Sequence, residues 1–113
     1  MSNRVELIYA PDCPNVGLAR KRLTRAFESA GLQTEWREWN QAHASSPDYT
    51  RDYASPTILV DGQDVSTDDA ALLDAESCRL YTGEDGRLTG APSVVAITAA
   101  LQAAPSRDTE EKR

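Results

Sequence analysis

The first thirty residues show a short apolar run followed by apolar residues at helical spacing. Residues 4–9 contain Val, Leu, Ile and Tyr with little interruption, which is typical of a buried strand. From about Pro14 to Ala30 the apolar residues recur every three or four positions, and Gly31 supplies a stop signal. Pro14 suits the first position of a helix, where a backbone N–H is not needed. The pattern therefore predicts a strand and then an amphipathic helix.

The middle of the chain shows the same alternation of element types. Residues 33–39 alternate polar and aromatic side chains, which predicts a half-buried strand, and a short helix is expected over residues 47–53. Residues 58–60 form an apolar strand that ends in Asp61-Gly62, a dipeptide typical of tight hairpins. The three residues that follow should therefore return antiparallel beside that strand.

The last third of the chain adds a small element and a helix. Residues 78–81 and 87–88 flank a Gly- and acid-rich stretch, which predicts a hairpin or ordered loop around Cys78. An amphipathic helix is expected from Pro92, and residues 105–113 are charged without apolar anchors, as in a disordered tail. The order of elements predicts one α/β domain over residues 1–104, with a mixed sheet of about four strands flanked by helices.

Length and charge narrow the classes of function. A chain of 113 residues suits one domain with a modest core. The net charge of −6 argues against a nucleic-acid partner, because phosphate binding needs a basic surface. No apolar stretch approaches the roughly 20 residues that span a bilayer, and no signal-peptide pattern precedes the first strand. We therefore expect a cytoplasmic protein without a membrane partner, whereas the oligomeric state is not indicated.

Cys13 is the first candidate for chemistry, because it lies between the predicted strand and the predicted helix. A thiol at a helix start faces unpaired backbone N–H groups and the positive end of the helix dipole, and both stabilise a thiolate. The thiolate is the nucleophile and the metal ligand among the forms of cysteine. With only Cys13 and Cys78 in a reducing compartment, a structural disulfide is a poor explanation. A catalytic, redox or metal role is favoured instead.

A second candidate segment lies ahead of the apolar strand at residues 58–60. There Ser55-Pro56-Thr57 places a proline just before a strand, where it cannot donate to the sheet ladder. The combination of a strand, Cys-Pro and helix with a later Pro-Thr, strand and Asp-Gly turn is more specific than either half alone.

Three short sequence motifs, or boxes, together resemble those of a known family. They are Asp12-Cys13-Pro14-Asn15, Ser55-Pro56-Thr57 with Asp61-Gly62, and Ser77-Cys78-Arg79-Leu80-Tyr81. The chain resembles small bacterial thioredoxin-like proteins that carry these boxes, some of which are named alkylmercury lyase or contain selenocysteine. The resemblance covers residues from about 4 to 102.

The resemblance implies a thioredoxin-like fold in which Pro56 is cis and faces Cys13. It implies catalytic roles for Cys13, Cys78 and Pro56. Asp12, Pro14, Asn15 and Thr57 would then lie against the substrate, and Pro56 and Thr57 would present backbone groups to it.

The chain departs from classical thioredoxins because the box reads Cys13-Pro14-Asn15-Val16, so a local CxxC disulfide cannot form. Cys13 would act as a single nucleophile, and its mixed disulfide would be resolved by an external thiol or by Cys78. The expected partner is a low-molecular-weight thiol or a protein disulfide, and no cofactor is expected.

Two other functions stay open. Cys13 and Cys78 could bind mercury or another soft cation, with Asp12 as a nearby carboxylate for organomercurial processing. The chain could also be a binding module that keeps the fold and lacks redox turnover.

Overall fold

The computed structural model describes residues 4–66, 81–83 and 85–111. Within these residues the chain forms strands, two α-helices and one 3₁₀ helix. In chain order they are β1 (Val5–Tyr9), α1 (Val16–Ala30), β2 (Arg37–Asn40), the 3₁₀ helix (Asp48–Asp52), β3 (Thr57–Val60), β4 (Gln63–Asp64), β5 (Tyr81–Thr82), β6 (Leu88–Thr89) and α2 (Val94–Glu111).

Four of these strands form one mixed sheet in the order β2-β1-β3-β4. The central strand β1 is parallel to β2, with Glu6 opposite Arg37, and antiparallel to β3, with Ile8 opposite Thr57. The parallel β1–β2 pair and the antiparallel β3–β4 edge match the mixed sheet that the sequence predicts. Strands β5 and β6 pair with each other in a separate two-stranded sheet, which confirms the small hairpin at its described end.

Both α-helices pack on one face of the four-stranded sheet. Side chains alternate between the faces along a strand, so Val5 and Leu7 of β1 point to one side and Glu6 and Ile8 to the other. Val5 and Leu7 belong to the hydrophobic core with Ile58 and Val60 of β3, and the helices contribute Ala19, Leu23, Ala26, Phe27, Ile97 and Leu101. This core attaches α1, and the loop that leads into it, to the sheet.

The opposite face of the sheet is covered by the segment between β2 and β3, which includes the 3₁₀ helix. Gln41 ties this segment together, because its side-chain amide donates to the carbonyl oxygens of Thr50 and Tyr53 at 2.7 and 2.6 Å. Thr50 is fully buried there. The sequence predicted a short helix at residues 47–53, and the structure has five residues of 3₁₀ helix at that place.

Turn residues agree closely with the predictions. Gly31 ends α1 with a left-handed φ of 72°, and its N–H donates to the Glu28 carbonyl oxygen at 3.1 Å. Asp61 and Gly62 have φ values of 52° and 84°, which is the pattern of the tight turn expected between β3 and β4. Glycine suits both turns because it adopts positive φ without strain.

Strand β2 starts four residues later than the alternation at residues 33–39 predicts. Trp36 lies just before the strand, and its ring stacks on Phe27 of α1 at a centroid distance of 6.1 Å. Trp39 lies on the opposite face, where its indole N–H donates to Glu6 at 2.8 Å. The two tryptophans therefore pack on opposite sides of the sheet edge, and only the second belongs to the strand.

Helix α2 continues to Glu111 and so includes most of the segment from Pro105 that the sequence predicts as a tail. Residues 107–111 include Arg and two Glu, which are good helix formers, so a helical backbone is locally acceptable there. Whether residues 105–113 are dispensable stays a prediction. Neither α-helix in the described part of the chain combines the length and apolar character that a bilayer crossing requires.

An ion pair joins α1 to the edge strand β2. Arg20 donates two hydrogen bonds to the Glu38 carboxylate, at 2.9 and 2.8 Å, and the Trp36 indole donates a third at 3.0 Å. The Arg20 guanidinium, helped by the Trp36 indole, holds the pKa of Glu38 below its ordinary value of 4.5, although partial burial acts in the opposite direction.

This pair predicts a pH dependence of stability. A carboxyl group whose pKa is lowered on folding contributes stability above its unfolded pKa and loses it as pH falls through the folded value. We expect the free energy of unfolding to fall below about pH 4.5, and both Glu38→Gln and Arg20→Gln to reduce that dependence. Urea unfolding across pH measures it, with Arg25→Gln on the exposed side of α1 as the control. Equal acid dependence in Glu38→Gln and the unmodified chain would contradict the assignment.

Candidate functional site

Cys13 lies in the loop between β1 and α1 and is 9% exposed. Its N–H donates to the carbonyl oxygen of Ala10 at 3.1 Å, which closes a tight turn directly after β1. The side chain belongs to the hydrophobic core cluster together with Val16 and Ala19 of α1. A small part of the Cys13 side chain therefore reaches the surface, while the rest packs under the start of the helix.

The first turn of α1 starts slightly later than the sequence predicts. Asn15 is the N-cap residue, and its carbonyl oxygen accepts the first helical hydrogen bond from Ala19 at 3.0 Å. Pro14 therefore precedes the N-cap instead of occupying the first helical position, because Cys13 and Pro14 are still part of the connecting turns. No side chain caps the helix and no acidic residue lies in its first turn. Its N-terminal N–H groups are thus available near the cysteine.

Asp12 and Pro14 flank the cysteine on the surface. Both residues are exposed, and Asp12 lies in a turn ahead of the helix. Asp12 precedes the first turn of α1, which begins at Val16. The exposed pair forms the outer rim of the loop that carries Cys13.

Pro56 lies at the start of β3, and the Ser55–Pro56 peptide bond is cis, as the resemblance implies. One hydrogen bond connects this proline loop to the cysteine loop, and a second lies within the cysteine loop. The Ser55 hydroxyl accepts from the N–H of Ala10 at 2.9 Å, and the Ala10 carbonyl in turn accepts from the N–H of Cys13. Cys13 and Ser55-Pro56 therefore lie on adjacent loops held together through a single residue, Ala10.

Thr57 is the other predicted site residue beside Pro56. It is fully buried, and its hydroxyl donates to the carbonyl oxygen of Ala54. That hydroxyl is bonded within the turn, and the residue as a whole, backbone included, is buried. The role of Pro56 and Thr57 in presenting backbone groups to a substrate stays a prediction.

Tyr81 contacts the proline loop. Its hydroxyl donates to the carbonyl oxygen of Pro56, and its side chain is 2% exposed. Tyr81 is the last residue of the box that contains Cys78, and it is the only member of that box among the described residues. Cys78 itself lies outside the described residues, so its distance from Cys13 is not given by the structure.

Gly90 covers the other side of the cysteine loop. A Cβ atom at Gly90 would lie 2.3–2.6 Å from the side-chain atoms of Asn15, so any larger residue there requires the Asn15 amide to move. The neighbouring residue Ala91 accepts a hydrogen bond from Arg22 of α1 at 2.9 Å. These contacts hold the loop between β6 and α2 against α1. The contact made by Gly90 is with Asn15, two residues after Cys13 in the sequence.

A groove of about 470 Å³ runs along the same side of the molecule. It lies between the β5–β6 hairpin, α1 and the start of α2, and its lining includes Arg22, Arg87, Asp85, Leu88 and Thr89. Leu88 is 61% exposed. An extended or anionic substrate group could be held here, next to the Gly90 contact with Asn15.

Three contributors to the site were not assigned roles from the sequence. Ser55 and Tyr81 stood inside recognised boxes, but their hydrogen-bond partners, Ala10 and Pro56, come from other segments. The sequence gives only a weak indication of a role for Gly90, because a glycine that precedes Ala-Pro and a helix is typical of an ordinary loop. In the described part of the chain, His, Cys, Asp and Glu side chains form no group of three that could hold a metal ion.

Comparisons with models of protein families, with curated proteins and with solved structures find no significant match for this chain. Its function therefore has to follow from the arrangement of its own residues.

The Ser55 hydrogen bond yields a stability prediction. Ser55→Ala leaves the Ala10 N–H without its acceptor in a site where Ser55 is 1% exposed, so we expect a loss of about 1–3 kcal/mol in the free energy of unfolding. Chemical denaturation measures it. Ser45→Ala, at an exposed position, is the matched control and should change stability by less than about 0.5 kcal/mol. A Ser55→Ala variant as stable as that control would contradict the coupling of the two loops.

The contact between Gly90 and Asn15 yields a prediction with a built-in rescue. Gly90→Ala should destabilise the protein by about 1–3 kcal/mol, because the added methyl group overlaps the Asn15 amide. Asn15→Ala removes the overlapping atoms, so the double variant should recover most of the loss. A double-mutant cycle followed by thermal unfolding tests this. Strictly additive effects would show that the two residues do not meet.

Proposed function

We propose that this protein is a thiol-dependent oxidoreductase of the thioredoxin-like type that acts through Cys13. The observation that carries the proposal is the hydrogen-bonded connection from Ser55 through Ala10 to Cys13. It joins a cysteine before a helix to a cis-proline loop at the start of the neighbouring strand. The mixed sheet order β2-β1-β3-β4, with both α-helices on one face, is compatible with this assignment.

The chemistry follows from a single nucleophile. The Cys13 thiolate attacks one sulfur of a substrate disulfide, a new S–S bond forms between Cys13 and that sulfur, and the other substrate sulfur leaves as a thiolate. A second thiol then attacks the Cys13 sulfur of the mixed disulfide, the remaining substrate sulfur leaves as a thiolate, and a disulfide forms between Cys13 and the second thiol. A further external thiol attacks the sulfur of the second thiol and releases Cys13 as a thiolate. When the second thiol is also external, the two electrons that reduce the substrate come from these two thiols, which end as a disulfide; when the second thiol is Cys78, one more external thiol releases Cys78, and the two external thiols end as the disulfide.

The site residues have distinct parts in this scheme. Uncapped N–H groups at the start of α1 stabilise negative charge on sulfur, both before attack and when Cys13 leaves. An extended substrate would lie against the Pro56 loop, whose position Tyr81 fixes through its hydrogen bond to the Pro56 carbonyl. Asp12, Pro14 and Asn15 form the neighbouring part of the substrate surface, and the groove beside Arg22 and Arg87 would take an anionic group.

The second thiol is either an external low-molecular-weight thiol or Cys78. Support for Cys78 comes from the sequence, in which it precedes Tyr81 by three residues, and Tyr81 contacts Pro56. An external thiol needs no further residue of this chain. A disulfide between Cys13 and Cys78 forms when Cys78 is the second thiol and does not form when the second thiol is external.

Replacement of Cys13 tests the proposal. Bis(2-hydroxyethyl) disulfide serves as the substrate and glutathione as the reductant. Cys13→Ser should lose turnover completely while its circular dichroism matches that of the unmodified protein, because serine cannot form the mixed disulfide. Cys78→Ser is the matched control: unchanged turnover identifies the external-thiol route, and trapping of a Cys13–Cys78 disulfide identifies the internal one.

The alternatives give other outcomes in the same experiment. An unmodified protein that reduces no disulfide and resists alkylation at Cys13 would contradict the oxidoreductase and favour a binding module. Stoichiometric binding of Hg²⁺ that requires both cysteines, without turnover, would favour soft-metal capture. Turnover in Cys13→Ser equal to that of the unmodified chain would exclude Cys13 as the nucleophile.

A further inference from the structure

The sheet face away from the two α-helices carries a buried carboxylate that the proposed redox site does not use. Glu6 of β1 is 1% exposed. Its Oε2 atom accepts hydrogen bonds from the Trp39 indole N–H, at 2.8 Å, and from the Tyr49 hydroxyl. Burying a carboxylate costs several kcal/mol unless donors replace its water, and these two donors do so for one of its oxygens.

The other oxygen of this carboxylate is not satisfied in the same way. Oε1 of Glu6 is buried and accepts no hydrogen bond. Its nearest charged neighbour is Nε of Arg4 at 3.6 Å, which is an ion-pair distance beyond hydrogen-bond range. The Arg4 side chain is 68% exposed and also donates to the Tyr49 hydroxyl at 3.3 Å, so a ligand that reaches Oε1 must displace it from both contacts. Buried polar atoms without a partner are uncommon in folded proteins and call for a physical explanation.

A pocket of about 310 Å³ adjoins this carboxylate and is lined by Arg4, Glu6, Arg37 and Trp39. Arg37 is directly opposite Glu6 in the parallel β1–β2 register, but no ion pair forms between them. Its guanidinium lies over the Trp39 ring instead, 5.5 Å from the ring centre. Within the described residues Arg37 has no carboxylate partner. The pocket therefore presents a carboxylate oxygen without a hydrogen bond, a guanidinium that contacts the Trp39 ring, and the indole itself.

This combination selects the charge of a ligand. The charged residues of the lining are two arginines and one glutamate, so a purely cationic ligand is repelled overall, and a simple anion leaves Oε1 without a donor. A ligand with both groups close together satisfies Oε1 and the guanidinium at once. The pocket, of about 310 Å³, has room for a small molecule of this kind.

We propose that this pocket binds a free α-amino acid. The ammonium group donates to Oε1 of Glu6 in place of Arg4, and the carboxylate accepts from the Arg37 guanidinium. The Arg4 side chain swings aside and adds a second positive charge near the carboxylate. The carbon atoms between the two charged groups lie along the Trp39 ring. The ligand site is on the opposite face of the sheet from Cys13 and is independent of the proposed redox chemistry.

The experiment measures binding to the full chain by isothermal titration calorimetry. Glycine, L-serine, L-glutamate and L-phenylalanine are the probes, each at up to about 10 mM, a range in which a Kd near 1 mM is measurable. We expect at least one of them to bind. For that amino acid, the N-acetyl derivative lacks the ammonium and the amide derivative lacks the carboxylate. Both should bind at least about 10-fold more weakly, since each loses a charge-assisted hydrogen bond.

Variants separate the pocket from other binding. Arg37→Gln should weaken binding at least about 10-fold, and Arg25→Gln, an exposed arginine on the other face, should not. Glu6→Gln is the second pocket variant, and circular dichroism shows whether it folds. If Glu6→Gln does not fold, binding by Arg37→Gln and binding of the two ligand derivatives still test the proposal. No binding by any probe, equal binding of the N-acetyl derivative, or unchanged binding by Arg37→Gln would each overturn the proposal.

Discussion

The antiparallel register between β1 and β3 is the constraint on which the rest of the structure depends. Ile8 lies opposite Thr57, so the carboxyl end of β1 and the amino end of β3 meet at the same edge of the sheet. Whatever follows β1 must therefore adjoin whatever precedes β3. The cysteine loop follows the first strand and the proline loop precedes the other, and the Ala10 N–H bond to Ser55 joins them. Proximity of the two loops is thus a result of strand pairing.

Both faces of β1 are covered, and the two coverings differ in chemistry. On the helix side, Val5 and Leu7 lie in an apolar core, where burial stabilises in proportion to area and tolerates similar side chains. On the other side, Glu6 depends on donors from Trp39 and Tyr49, which must be placed accurately. The first face supplies most of the apolar burial. The face that carries Glu6 fixes the position of the segment between β2 and β3. If that segment shifted, the buried carboxylate would lose its hydrogen-bond donors.

Much of the architecture could be read from local patterns. Strand β1, helix α1 with its stop at Gly31, and the Asp61-Gly62 turn each follow from spacing and turn chemistry within a few residues. These features were accessible because each depends on residues close together in the sequence.

Other features depend on partners far away in the chain, and no local pattern indicates them. Glu6 reads as one polar residue in an apolar run, and its donors come from positions 39 and 49. The alternation of side chains predicts Trp36 as part of a strand, but it lies just outside β2, and its ring stacks on Phe27 of α1. Similarly, the close approach to Gly90 is made by the Asn15 side chain, which is 75 residues earlier. Such pairs become visible only once the sheet brings their segments together.

The bond from Tyr81 to the Pro56 carbonyl has a consequence for how the molecule opens. Strands β5 and β6 form their own two-stranded sheet, so in the described chain this side-chain bond, and not a backbone ladder, joins the hairpin to the proline loop. Amide hydrogens of the hairpin can therefore exchange with solvent by local opening, while those of β1 and β3 exchange only when the main sheet unfolds. The hairpin is a separate unit of local stability, and a phenolic hydroxyl couples that unit to the neighbourhood of Cys13.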